Sequence, residues 1–303
     1  MKVTLIHNPK AGANEQPSVD EVLGLIRAAG HAVTWQAPKG DDWEWVLEDP
    51  GDLVAVAGGD GTVGTVAVRL AGRGIPIAVL PVGTANNISK VLRLADTTLE
   101  RLITGWATAR RIGFDVGVVT WPWGENRFIE GVGVGLLARA ITELDAKAEI
   151  AFGQVDNREE KMTSGLRRLR DLAENCPAMA LRIVLDGQDL SGDYILLEVM
   201  NIMHIGPSLH FAPDADPGDG LLDVVLVTAD QRDRLGEYLL SCLEGCPQPL
   251  QWTVHRGKRL QLGYEDQDMH IDDKVWPAHG STAPHGPIHL EMKVDSQILE
   301  FLV

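Results

Sequence analysis

Cysteine is scarce in this chain. Cys176, Cys242 and Cys246 are an odd number without metal-ligand spacing, which excludes a disulfide framework and leaves reduced, structural thiols, with Cys242 and Cys246 expected at a helix end. The nine histidines form no Cys/His cluster of zinc spacing, so no transition-metal centre is expected. Basic residues are outnumbered, 27 Lys and Arg against 43 Asp and Glu, for a formal charge of −16. A nucleic acid needs a basic footprint and is excluded as a partner on that ground. The same charge disfavours permanent adsorption on an anionic bilayer and leaves only local, transient membrane contact. No apolar run approaches the roughly 18 residues of a transmembrane helix. The first residues read as a strand rather than a signal peptide, and a cytoplasmic address is the expectation. No internal repeat or low-complexity tract is present.

Glycine, by contrast, is concentrated where strands end. The apolar run Leu53 to Ala57 stops at Gly58-Gly59-Asp60-Gly61-Thr62 and resumes as the helix-like Val63 to Leu70, the pattern of a strand, a tight loop and a helix. Glycines let backbone approach a phosphate closely, and a helix N-terminus adds oriented N–H donors. Asp60 alone would repel a phosphate; it suits a Mg2+ that bridges protein and phosphate oxygens. Lys2 to His7 breaks likewise at Asn8-Pro9-Lys10-Ala11-Gly12, and Ile75 to Leu80 at Pro81-Val82-Gly83-Thr84-Ala85-Asn86-Asn87. Helices are expected at Ser18 to Ala29, with Ser18 and Glu21 as a capping box, and at Ile88 to Leu92. In a doubly wound parallel sheet the loops after successive strands open on one edge, where ligands bind. The alternative for each loop taken singly is an ordinary connector.

From Arg110 the style changes to β-rich segments, Ile112 to Thr120, Arg127 to Val134, Met179 to Leu185, Tyr194 to Asn201 and Leu221 to Val227. The expectation is an α/β domain over residues 1–121, with a doubly wound, mostly parallel sheet. A β-rich, antiparallel sandwich-like domain follows over 122–303, its last strand free to return to the first domain. The turn Trp121-Pro122-Trp123-Gly124 reads as a hinge. A helical excursion spans Leu136 to Asn175. There Met162, Leu166, Leu169 and Ala173 recur at helical spacing among Arg167, Arg168 and Arg170, a face that either packs on the sandwich or meets an acyl chain. His204 and His210 flank Gly206-Pro207 and either line an acceptor pocket or are satisfied loop residues.

The series Asn8-Pro9-x-x-Gly12, Gly58 to Thr62 and Pro81 to Asn86 resembles the diacylglycerol kinase catalytic-domain family, and within it the soluble bacterial lipid kinases related to sphingosine kinases. Arg127 to Gly135 and Ala212 to Asp223 are similar to later segments of that family, so the likeness covers nearly the whole chain. It implies an ATP-dependent kinase that phosphorylates a lipid hydroxyl with Mg2+, the lipid being diacylglycerol-like or sphingoid-like. A homodimer is a further expectation. Phosphoryl transfer needs positioning and charge neutralisation. On the resemblance, Asp60 is metal-linked and catalytic. Asn8, Pro9, Lys10 and Gly12 support the phosphates, Gly58, Gly59, Asp60, Gly61 and Thr62 cradle them, and Gly83, Thr84 and Asn86 complete the nucleotide loop. Asp216, Asp219 and the Leu221 carbonyl fall at a second, structural Mg2+ site; the alternative is an acidic turn that makes a hairpin.

The chain departs from the family near Ile271. An Asp-Gly-Glu whose Glu serves as base is here Asp272-Asp273-Lys274, and a charged Lys cannot accept a proton. Either Asp273 takes the role, or Asp272 serves, or the protein binds nucleotide and lipid without efficient turnover. Gly64-Thr65 and Asn87 also depart from the usual Asn-Glu and Asp. NAD kinases share Gly-Gly-Asp-Gly-Thr, and Gly280-Ser281-Thr282-Ala283 resembles their second motif, but it falls too near the end and precedes Pro284.

Overall fold

The structure, a computed structural model, describes residues 1–12, 16–39, 43–122, 124–151, 157–249, 252–265, 268–277 and 286–303, with the side chains of 144–151 left aside. Trp123 and Gly280-Ser281-Thr282-Ala283 lie outside the described residues. The chain divides into two compact units, Met1–Val116 with Asp156–Glu159 and Ser296–Val303, and Gly117–Val155 with Glu160–Asp295.

The first unit holds β1 (Lys2–His7), α1 (Val19–Ala28), β2 (Ala32–Gln36), β3 (Leu53–Gly58), α2 (Asp60–Leu70), β4 (Ile77–Pro81), α3 (Asn87–Val91), α4 (Leu99–Gly105) and the start of β5 (Arg111–Trp121). Its strands run parallel in the order β2, β1, β3, β4. Leu53 through Ala57 are all fully buried, as both faces of a parallel strand covered by helices require. The capping box at α1 is present: the Ser18 hydroxyl accepts from Glu21 N at 3.3 Å, and Ser18 N donates to Glu21 Oε2 at 2.7 Å. Val22, Leu23 and Ile26 of α1 join Leu5, Ala55 and Leu80 in one core.

The remaining elements are β6 (Gly124–Phe128), β7 (Gly131–Gly135), α5 (Leu136–Ala151), α6 (Arg158–Asn175), β8 (Met179–Leu185), β9 (Gln188–Asp189), β10 (Gly192–Met200), β11 (His204–Ile205), β12 (Leu209–His210), β13 (Leu222–Thr228), α7 (Arg232–Leu243), β14 (Val254–Gly257), β15 (Arg259–Tyr264), β16 (Met269–Ile271), β17 (Lys274–Trp276) and β18 (Ile288–Leu302). In the second unit β10 runs antiparallel to β7, β8 and β13. β7 pairs with β16, β16 with β17, and β13 with β14. Leu197 and Val199 point into one apolar core, while Leu196 and Met200 point into another shared with α5, α6 and α7, the period of two that a strand dictates.

Of the two readings of the α6 stripe, packing on the sandwich holds: Leu166, Leu169 and Ala173 are buried in that second core. Trp121 registers opposite Gly124 in the β5–β6 ladder; Trp123 of the expected hinge lies outside the described residues. Ile288 to Leu302 forms one continuous strand. The cysteines are free, with Cys242 in the last turn of α7 and Cys246 just beyond it. Among the described residues no helix is long and apolar enough to cross a membrane.

The hairpin offers a direct check on packing. Gly117 sits opposite Phe128, and a Cβ there would lie 2.1 Å from the Phe128 ring. Gly117→Ala is expected to cost about 1–3 kcal/mol, as overpacking does, read as a lower denaturant midpoint at unchanged slope.

Candidate functional site

The sheet of the first unit brings three loops to one edge, because β1, β3 and β4 are adjacent and parallel and each ends there. Asn8 N donates to Ala57 O at 2.9 Å, and Asn8 Nδ2 donates to Thr62 Oγ1 at 3.0 Å, joining the first loop to the second. Asn8 Oδ1 accepts from Lys10 N at 3.0 Å; Pro9 and Lys10 are exposed. A Cβ on Gly12, whose φ is +64°, would lie 2.0 Å from Val82 O, and one on Gly83 would lie 2.3 Å from Gly59 Cα. These loops touch through bare backbone. Gly58 is tight against a side chain: a Cβ there would lie 2.8 Å from Thr62 Cβ. Thr84, half-buried, sits in the third loop. That loop is closed by Asn86, in the left-handed region at φ +54°, whose Oδ1 accepts from Gly83 N at 2.9 Å and whose Nδ2 donates to Gly83 O at 3.0 Å.

Asp60 opens α2 and also holds the start of α3, its Oδ1 accepting from Ile88 N at 3.0 Å. Burial pushes its carboxyl above the usual range, against the pull of the Ile88 and Asn87 N–H groups and the nearby Lys90 charge. Burial likewise lowers Lys90, while Asp60 raises it. Among the described residues no three His, Cys, Asp or Glu side chains group as a metal site. A single carboxylate fits a Mg2+ whose other ligands are phosphate oxygens and water, and does not fit a metal caged by side chains.

In the second unit Asp272 and Asp273 lie on the turn between β16 and β17. Asp272, at φ +50°, accepts from Ile129 N at 3.1 Å, Glu130 N at 2.8 Å and Gly131 N at 3.2 Å. These bonds break the expected strand Arg127 to Val134 into β6 and β7, since the N–H groups of residues 129–131 turn to the carboxylate. Burial pushes Asp272 up to about 6, opposed by those N–H groups. Its role here is to fasten backbone. Asp273 and Lys274 are exposed on the turn.

Two residues before Asp272, His270 is buried against Glu198, with Nε2 at 2.9 Å from Glu198 Oε2 and Nδ1 at 2.9 Å from Asp272 O. A carbonyl can only accept, so Nδ1 carries hydrogen, and the carboxylate and Nε2 hold one proton between them. Burial raises Glu198, and its His270 partner pulls it down. Burial would lower His270, but the Glu198 charge and hydrogen bond together with the Asp272 carbonyl and charge raise it. Gly133 faces both residues in the ladder, and a Cβ there would fall 2.2 Å from Glu198 Oε1.

Residues 2–119 match a family model described as the diacylglycerol kinase catalytic domain, and residues 139–302 match the YegS C-terminal NAD kinase beta sandwich-like domain. A Cronobacter sakazakii protein named "Probable lipid kinase YegS-like" is 30% identical over 298 residues, spanning 93% of this chain and 85% of the relative. The chain belongs to the diacylglycerol kinase-like lipid kinase family. A diacylglycerol kinase of Mycobacterium tuberculosis strain H37Rv is 28% identical over 192 residues, which is 61% of this chain and 57% of that protein's length. The crystal structure of a diacylglycerol kinase from Bacillus anthracis str. Sterne shares the fold, with TM-score 0.70 at 21% identity, covering 99% of this chain and 96% of that one.

For this lipid kinase family member, the loop residues read from the sequence in the first unit share one sheet edge. Sequence reasoning did not single out Arg158, whose guanidinium donates to Gly12 O at 3.4 Å and Val82 O at 3.1 Å, tying the first loop to the third. It also missed the Glu198–His270 pair. A carboxylate inside the apolar run Ile195 to Met200 was the available signal, since a charge there must find a partner. Gly83→Val, which would drive a side chain into Gly59, is expected to abolish nucleotide binding; titration of a fluorescent ATP analogue, with circular dichroism to verify folding, checks this.

Proposed function

We propose that this chain transfers the γ-phosphoryl group of ATP to the hydroxyl of a diacylglycerol-like or sphingoid-like lipid, as a cytoplasmic enzyme with transient membrane contact. The observation that carries the reading is the side-chain-free packing of the Gly12, Gly59 and Gly83 loops beside Asp60, a surface where backbone can come close to a polyphosphate. Bound Mg2+ would neutralise phosphate charge next to Asp60. Thr62 and Thr84 offer hydroxyls to the phosphates, and the start of α2 offers N–H groups. The names of the relatives, lipid kinase and diacylglycerol kinase, support the reaction class.

Of the two aspartates on the β16–β17 turn, Asp273 is the better proton acceptor. Its neighbour's carboxylate is committed to three backbone N–H groups, whereas Asp273 is exposed. A positioned base contributes roughly 100- to 10,000-fold. Asp273→Asn is therefore expected to lose most of the lipid phosphorylation measured by thin-layer assay of labelled ATP against a lipid panel. If Lys274 instead marks a lost base, Asp273→Gly with Lys274→Glu raises the rate. Nucleotide binding without phosphorylation of any lipid, in every variant, would replace the kinase reading with that of a nucleotide-binding and lipid-binding regulator.

Asp60→Asn keeps the shape of the side chain and removes its charge. It is expected to abolish Mg2+-dependent ATP binding, measured by calorimetry, while the protein stays folded; unchanged affinity would remove Asp60 from the metal.

A further inference from the structure

The acidic turn Asp216 to Leu221 leads into β13, which pairs with β14 so that Asp223 stands directly opposite Arg256. Asp223 lies among the buried Leu222, Val224 and Val225, its side chain 2% exposed. A carboxylate so placed requires a cation. Arg256 Nε lies 3.1 Å from Asp223 Oδ1, and Arg256 Nη2 pairs with Asp219 Oδ2. The other Asp219 oxygen accepts from Leu221 N at 2.9 Å, and Asp216 Oδ1 accepts from Gly218 N at 3.0 Å. Both oxygens of Asp219 are thereby in use. These residues do not fit the second Mg2+ that the family resemblance implies. Mg2+ demands near-octahedral oxygen ligands at about 2.0–2.1 Å and keeps its waters, and a guanidinium on the same carboxylate oxygen would repel it.

We propose that Arg256 is the resident cation of this turn: its permanently charged guanidinium is hydrogen-bonded to Asp219 of the loop and lies within ion-pair distance of Asp223 of β13, whose Oδ1 has no hydrogen-bond partner, and the chain holds the turn with a side chain instead of a metal. Arginine suits the task because its charge is permanent and one guanidinium can hydrogen-bond one carboxylate while neutralising a second. Magnesium dependence is then confined to nucleotide handling.

The test compares melting temperatures of the full chain, without nucleotide, in EDTA and in millimolar MgCl2. The expected result is the same Tm in both for the parent protein and for Asp60→Asn. Arg256→Met should melt lower in EDTA and recover part of the loss in MgCl2, because the vacated carboxylates become available to the ion. A parent Tm that rises with Mg2+ in the Asp60→Asn background overturns the proposal, as does an Arg256→Met protein with unchanged Tm. Should Arg256→Met fail to fold, Mn2+ titration of Asp60→Asn followed by water-proton relaxation decides. No binding is expected; binding that disappears when Asp219→Asn is added overturns the assignment. None of these readouts depends on lipid phosphorylation, so failure here and failure of the kinase reading are separable.

Discussion

The first unit depends on contacts in which no side chain can stand. Gly12 lies against the Val82 carbonyl, Gly83 against Gly59, and Gly58 beneath Thr62, each closer than a Cβ would allow. Such contacts draw three strand ends into a single surface. The polar bonds then follow from proximity: Asn8 reaches Thr62, Asp60 reaches the start of α3, and Arg158 spans the first and third loops. A surface of this kind suits a ligand recognised through backbone and charge, as polyphosphates are. Glycine is needed at Gly12 for a second reason, its positive φ of +64°.

The second unit solves a different problem, that of placing charge inside a β-rich core. Glu198, His270 and Asp272 are neighbours through the β10–β7–β16 ladder, with Gly133 leaving room between them. Each buried group answers another: the proton shared by Glu198 and His270, the carbonyl of Asp272 on the far ring nitrogen, and the Asp272 carboxylate on three N–H groups. Removing one member strands the rest in low dielectric, a loss that typically reaches several kcal/mol. The turn bearing Asp273 and Lys274 therefore rests on a rigid footing. Asp219, Asp223 and Arg256 repeat the principle at another edge of the same unit.

Much of this was legible in the residues themselves. Continuous apolar runs closed by glycine clusters marked β1, β3, β4 and the loops after them, because strand length, burial on both faces and sharp backbone turns are local requirements. Ser18 and Glu21 marked the start of α1 for the same reason, since a capping box closes within four residues. The misreadings came where distant residues intervened. Arg127 to Val134 has the composition of one strand, yet Asp272, far along the chain, takes the N–H groups of residues 129–131 and divides it.

Local pattern thus determined the class of fold, the alternation of strand and helix in the first unit, the β-rich second unit and the three loops at the edge of the parallel sheet. Tertiary structure alone decided which carboxylates are committed and which remain exposed. Asp272 and Asp273 are adjacent and chemically identical, but one faces three backbone donors and the other faces solvent. Asp219 reads as a metal ligand in the sequence, and only the register of β13 with β14 shows that Arg256 stands opposite Asp223 with its guanidinium paired to Asp219. Charge partnership is a matter of a few ångströms between residues far apart in sequence, and only the folded ladder supplies those distances.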